Sequence, residues 1–413
     1  MTATSLMGQD AKQIADNLTV PTELVSGGKL TIPSVQGAKV ELLGADYEQI
    51  IKPNGTIRPV ISDTPVNVNF KVTKDGKEAF SKDYEIIVKS ANKVDGNPKP
   101  QVVPSILQWE GGKGEYKLGD SVGVFFGGVS EEHQAIILDD LRDVLGKEVK
   151  LAERDKADIK FVKVPKEKKG ERASQAEAYR LKTNDSGITV SATSGKGVYW
   201  GSRTILQILK QTGGSMPYGK AYDVPRYEVR GVLFDIARTP YTLKDLRDVI
   251  NAMAWYKMND LHLVINNNYI FLEEYVKDGH DPLKEAYTAF RLESDIVGEN
   301  GQKLTAEDVF FTKKEFRELI DYAKLRGVNI VPEFDTPGHA LSFTKVRPDL
   351  IYQGPMNHPG RRSDHIDAGN PETLKFVGKV LDEYLTPDKN FADKPVLDGC
   401  VIHVGADEFY GEA

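Results

Sequence analysis

One cysteine, Cys400, stands in 413 residues, so no intramolecular disulfide is possible. It lies in an apolar stretch and reads as a buried thiol rather than a nucleophile. No run of 18 or more apolar residues occurs, so no segment is long enough to cross a membrane as a helix. The opening MTATSLMGQDAKQ has neither a basic n-region nor an apolar core of ~7–15 residues, so no signal peptide is legible there. A basic excess is also missing: Lys+Arg number 54 against Asp+Glu 61, a net charge of −7. That mildly acidic balance argues against a nucleic-acid partner. The one basic cluster, Lys166 to Arg172 (KEKKGER), includes two Glu and reads as a solvated loop. Seven histidines show no Cys/His ligand spacing, so no metal is expected, nor any other cofactor.

What the chain does have is globular: 40% hydrophobic, 28% charged and 9% aromatic residues. At ~100–200 residues per domain, the length suggests two to four domains. Residues 1–95 hold short β-branched runs (LTVP, KLTIP, KVELL, VNVNFKV, YEIIVK) separated by Gly27-Gly28, Asn54-Gly55 and Asp75-Gly76. That spacing predicts an Ig-like β-sandwich. The polar, proline-bearing stretch 91–103 reads as a linker. Residues 96–222 mix strands with two helical stretches, 131–145 and 198–210, and read as a small α/β domain.

From residue 223 to 413 the rhythm becomes strand then helix. VRGVLFDIA (229–237) reads as a strand buried on both faces, and DLHLVIN (260–266), NIVPEFDT (329–336) and VIHVGADE (401–408) read as further strands. Amphipathic helices are expected at 243–256, 313–327 and 371–385. Polar residues gather at the strands' carboxyl ends: Asp235 and Arg238, Asn266 to Asn268, Glu333 with Asp335 and His339, then Asp407 and Glu408. That is the layout of a TIM (β/α)8 barrel active site.

Adjacent acids on a regular strand point to opposite faces, so Asp407 and Glu408 can share a site only where the strand ends. Two carboxylates in a water-poor cleft differ in pKa, and one can hold a proton for acetal hydrolysis. A solvated pair at a loop edge would look the same from the residues alone.

His403-Val-Gly-Ala-Asp407-Glu408 resembles the His-x-Gly-Gly-Asp-Glu signature of glycoside hydrolase family 20. Val331-Pro-Glu-Phe-Asp335-Thr-Pro-Gly-His339-Ala, Arg230-Gly-Val-Leu-Phe-Asp235-Ile-Ala-Arg238 and Tyr256-Lys-Met-Asn259 resemble three further motifs of that family, in its order. EAYRL (177–181), GVYWGSRTILQIL (197–209) and DVPRYEVRG (223–231) resemble the domain that precedes its barrel. The resemblance implies a β-N-acetylhexosaminidase or lacto-N-biosidase that uses the substrate's own 2-acetamido oxygen as nucleophile. It makes Glu408 the general acid/base and Asp407 the orienter of the acetamido group. Arg238 would grip sugar hydroxyls, Asn267 would lie in the substrate pocket, and His339, Asp335 and His403 would support the pair. Asp235 would be structural. The implied partners are oligosaccharides or glycoconjugates bearing N-acetylhexosamine, and the implied setting is extracellular or at the cell surface.

Two departures qualify this. The second strand lacks the family's Trp, second His and acids, carrying His262-Leu-Val-Ile-Asn266-Asn267-Asn268 instead. That segment, and AFRLESD (289–295) in the long insertion 269–311, resemble the lacto-N-biosidase branch more closely. A (β/α)8 barrel takes ~250 residues, yet only four strands are legible from Val229 onward. The chain therefore reads as the first half of the barrel, a fragment expected to be inactive as it stands. The alternative is a non-catalytic glycan-binding or adhesion module derived from the same family.

Overall fold

The computed structural model describes residues 10–91, 95–165 and 173–411. The basic cluster at 166–172 and most of the opening segment lie outside the described residues. The chain divides into two compact units, residues 1–228 and 229–413.

In the first unit the strands Glu23–Val25, Lys39–Ala45, Thr64–Lys74, Lys77–Phe80 and Tyr84–Lys89 form one five-stranded sheet. The central strand alternates as a half-buried strand should: Val66, Val68, Phe70 and Val72 are buried. A two-sheet sandwich is not what forms among the described residues. LTVP makes no strand, and KLTIP contributes only an isolated bridge, Lys29 to Thr56. Instead a short helix, Ala11–Asp16, packs against the sheet and buries Ala11, Ile14 and Ala15. Asp10 and Gln13 close a capping box at its start. Alternation announces a strand with one buried face, but not whether a sheet or a helix covers that face.

A seven-stranded sheet follows, built from Gln108–Lys117, Ser121–Gly127, Glu148–Leu151, Ile159–Lys163, Tyr179–Asn184, Gly187–Ala192 and Ser215–Asp223. Helices Glu131–Leu145 and Gly195–Thr212 pack together, and the second lies against the sheet. Each ends at a glycine in the left-handed region, Gly146 and Gly213. Three separate sequence motifs meet here. Trp200 Nε1 donates to Glu177 Oε2 at 2.9 Å, and the Tyr179 hydroxyl donates to Asp223 Oδ2 at 2.7 Å.

The second unit holds four parallel strands in sequence order: Gly231–Asp235, Asp260–Val264, Asn329–Thr336 and His403–Gly405. Helices Leu243–Trp255, Lys313–Leu325 and Pro371–Leu385 follow the first, second and third strands. Capping boxes at Thr242/Asp245 and Thr312/Glu315 open the first two, and Pro371 the third. The core lies under these helices, with Leu246, Ile250, Leu261, Leu263, Phe316, Leu319, Ile330 and Val380 buried. The expectation that the first strand is buried on both faces is not met: Leu233 is 57% exposed, and Val404 on the fourth strand is 52% exposed. Helices cover one face of the sheet, while those two side chains have no such cover. Cys400 is partly buried, and burial pushes its thiol up to about 11, which leaves it unreactive near neutral pH.

The insertion after the second strand is ordered by Arg291, from AFRLESD. Its buried guanidinium donates to the carbonyls of Ile236, Ala237 and Val309 and to Asp308. It ties a strand pair, Asn266–Asn268 with Thr288–Phe290, to the loop that follows the first barrel strand.

Candidate active site

The fourth strand is shorter than its apolar run suggests and leaves the ladder at Gly405. Gly405, Ala406 and Glu408 then adopt left-handed backbone angles, φ 70°, 74° and 49°. A glycine is required at 405, because a Cβ there would collide with Asp335 Oδ1. This turn breaks the strand's alternation and lets both Asp407 and Glu408 reach the carboxyl end of the sheet. Their side chains are 63% and 47% exposed.

Each acid has a neutral partner. Asp335 is almost fully buried, and its carboxyl is pushed up to about 8 by burial first, then by the charges of Asp407 and Glu333. It is therefore protonated at neutral pH and hydrogen-bonds to Asp407. His339 sits in the left-handed region at φ 54° and is buried. An arginine can only donate, so the 3.2 Å contact from Arg238 Nη2 makes His339 Nδ1 the acceptor. The ring proton is thereby assigned to Nε2, which lies 3.1 Å from Glu408 Oε2 and 3.9 Å from Asp407 Oδ2. Burial, and then Arg238, hold the imidazole below its usual pKa, in keeping with a neutral ring.

Arg238 is itself fixed. Its Nε donates to the Asn268 carbonyl at 2.9 Å, and its Nη1 to Asp235 Oδ2 at 3.1 Å. Asp235 also accepts from the Ala237 and Arg238 amides, the scaffold role expected of it. The Asn267 side chain does not point free into a pocket. Its Nδ2 donates to Asp235 Oδ2 at 3.0 Å, and its Oδ1 accepts from the Asn268 amide at 2.9 Å. It braces the Asp235–Arg238 pair. Asn266 does the same for the third strand, pairing with the Asp335 backbone in both directions at 2.8 and 2.9 Å.

The structure thus joins Glu408, Asp407, Asp335, His339, Arg238 and Asn267 in one network. His403 is not part of it. Its Nδ1 lies 3.2 Å from Glu333 Oε2, with His262 Nε2 on the same oxygen at 2.5 Å. Its register, opposite Glu333 on the third strand, directs it to that cluster instead of to the acid pair. Among the described residues two groups bring donor atoms close enough for a cation: His262, Glu333 and His403, and Asp335, His339 and Asp407. In the first, the Gly405 amide donates to His403 Nδ1 at 3.1 Å. In the second, Asp335 keeps its proton. Neither set is free to ligate as it stands.

Three residues escaped the sequence reading: Arg361, Asp364 and His365. Arg361 and Asp364 come from a 3-10 turn, Pro359–Asp364, His365 follows it directly, and all three are buried. Arg361 Nη1 lies 3.5 Å from Glu408 Oε2, and its Nη2 3.1 Å from Asp364 Oδ2. Asp364 also accepts from Asn268 Nδ2 at 3.0 Å and faces His365 Nδ1 at 2.7 Å. Burial opposes its charge, but His365 and Arg361 outweigh that and hold the carboxyl below its usual range. The run GRRSDHID carried a signal of sorts, two arginines, two aspartates and a histidine close together in a loop after the third strand. Such runs are usually solvated, and only tertiary burial distinguishes this one.

The family model "Glycosyl hydrolase family 20, catalytic domain" matches residues 227–412, and "Glycosyl hydrolase family 20, domain 2" matches 99–224. The chain is 29% identical over 242 residues to a beta-hexosaminidase of Akkermansia muciniphila, covering 57% of this chain and 45% of that protein. It is 25% identical over 313 residues to a lacto-N-biosidase of Bifidobacterium bifidum, covering 75% of this chain and 24% of the other. A solved exo beta-N-acetylglucosaminidase of Vibrio harveyi, in complex with N-acetylglucosamine, superposes with a TM-score of 0.56 at 20% identity, over 83% of this chain and 54% of that one. That likeness shows a multidomain fold with a TIM-barrel catalytic domain. The chain spans less than half the length of these curated relatives.

Proposed function

The chain belongs to glycosyl hydrolase family 20, and from that premise we propose that the protein is a retaining glycosidase acting by substrate assistance. It removes non-reducing β-linked N-acetylhexosamine or lacto-N-biose units from glycans, and it works outside the cell or at its surface. The observation that carries the reading is the pairing of each exposed acid with a buried neutral donor, Asp407 with Asp335 and Glu408 with His339.

In this mechanism Glu408 gives its proton to the glycosidic oxygen as the bond breaks. The acetamido carbonyl oxygen attacks the anomeric carbon from the opposite face. Asp407 accepts a hydrogen bond from the acetamido N–H, orients the group and stabilises the cationic oxazolinium. Glu408, now a carboxylate, takes a proton from the water that opens the ring. Hydrogen bonds from Asp335 and His339 hold both acids in place, so little reorganisation accompanies the charge shifts. The second-strand segment and AFRLESD favour lacto-N-biose over a single N-acetylhexosamine.

The test gives the full-length protein aryl N-acetylglucosaminide and lacto-N-bioside beside plain β-galactoside and β-glucoside substrates. Turnover confined to substrates with an acetamido group supports the reading. Comparable turnover of the plain glycosides would sink it. Saturable glycan binding with no turnover would put the adhesion-module alternative first.

A further inference from the structure

We propose that Arg361, backed by Asp364, is a positioning residue for Glu408 that lets this site run acid/base chemistry without a second-strand carboxylate; this rests on Glu408 being the general acid/base. The second strand ends in three asparagines, and amides cannot carry the charge that a proton-transfer network needs near its acid. A buried carboxylate arrives from elsewhere. Asp364 lies fully buried against Asn268, and the Arg361 guanidinium bridges it to Glu408 through two different nitrogens.

The bridge has a specific consequence. An unopposed arginine beside Glu408 would favour the ionised carboxylate and spoil it as a proton donor. Asp364 offsets that charge, so Glu408 meets a near-neutral ion pair instead of a bare cation. When Glu408 releases its proton, the new anion still finds donors from Arg361 and from His339 on its other flank. The His339 ring on that flank also faces Asp407 Oδ2 at 3.9 Å and accepts from Arg238 on its other nitrogen. The guanidinium is fixed in turn by stacking over Tyr410, 5.4 Å from the ring centroid.

A purely structural Arg361 would only pin the 359–364 turn. Leaving-group dependence separates the two roles, because a good leaving group needs little help from an acid. The experiment measures kcat/KM in the full-length protein for one glycone with a sugar aglycone and with a dinitrophenyl aglycone, as wild type, Arg361→Gln, Arg361→Lys and Asp364→Asn. Arg361→Gln should lose ~10–100-fold on the sugar aglycone and only a few-fold on dinitrophenyl, since misplacing a catalytic group by about 1 Å costs on that order. Arg361→Lys keeps the charge but not the two-nitrogen bridge, and should fall between. Asp364→Asn should show the same aglycone selectivity. Equal losses on both aglycones, with wild type active, would overturn the proposal alone. Absence of turnover by wild type on either would overturn the glycosidase reading and this inference with it. Thermal melts of each variant identify any that fail to fold, and Arg361→Lys keeps the test alive if Arg361→Gln does.

Discussion

Replacing Asp335 by Asn tests the buried proton on which the arrangement of the acid pair depends. The native carboxyl titrates at about 8 against 3.8 for a free one. A folded pKa raised above the unfolded value means that the folded state binds the extra proton. Stability from this group is fully present below 3.8 and is lost as pH rises through about 8. Each pH unit inside that window costs up to about 1.4 kcal/mol. Between pH 5 and pH 8 the wild type should therefore lose at most about 4 kcal/mol from this residue, and about 2 kcal/mol if solvent relaxes around the pair. Asn matches the neutral acid in shape and offers an N–H to Asp407 in place of the O–H. The variant should equal wild type only below pH ~4, where the acid is protonated in both states, and should gain a further ~2–4 kcal/mol over it between pH 5 and pH 8. Urea denaturation of both proteins across pH 5–9 reads this directly, provided the m-values agree. Parallel stability curves, separated by a constant offset, would refute the claim that Asp335 is protonated in the folded state.

Glu408→Gln should lower kcat on acetamido substrates by ~10²–10⁴-fold, the usual share of general acid–base catalysis. Gly405→Ala should cost more than its single methyl suggests, because it strains a residue at φ 70° and drives a Cβ into Asp335; a loss of both stability and turnover is expected, and wild-type activity would contradict the site geometry. Arg291→Met removes the donor that satisfies three carbonyls and Asp308, and should destabilise the second unit by ~3–5 kcal/mol in chemical denaturation. Activity should also decline as pH rises past about 8, when Asp335 ionises against Asp407; a flat alkaline limb in the pH–rate profile would argue against the pairing.

Much of this was legible from local pattern. The helix at Pro371–Leu385 falls where its apolar period and first-turn proline put it, and Lys313–Leu325 differs from expectation only at its C-terminal end. The buried valines of Thr64–Lys74 follow the alternation of VNVNFKV. The acid pair, Arg238, His339 and Asp335 stood out because each lies at or just past a strand's carboxyl end, where a barrel collects its chemistry. The partners of Asn267 and His403 were not legible for one reason: a residue's place on a strand fixes its face but not its partner. Asn267 turned to Asp235, and His403 to Glu333.

The sequence by itself determined the main strands and helices of the second unit, their order and the candidate acid pair, since these rest on short-range periodicity and on contiguous motifs. Only the tertiary structure decided that a helix and not a second sheet covers the N-terminal strands, that Asp335 keeps a proton, and that Arg361 and Asp364 stand behind Glu408. Those outcomes depend on burial and on polar and charged groups brought together from residues 238, 268, 335, 364 and 408, and no local pattern encodes the dielectric or the neighbours that a side chain meets after folding.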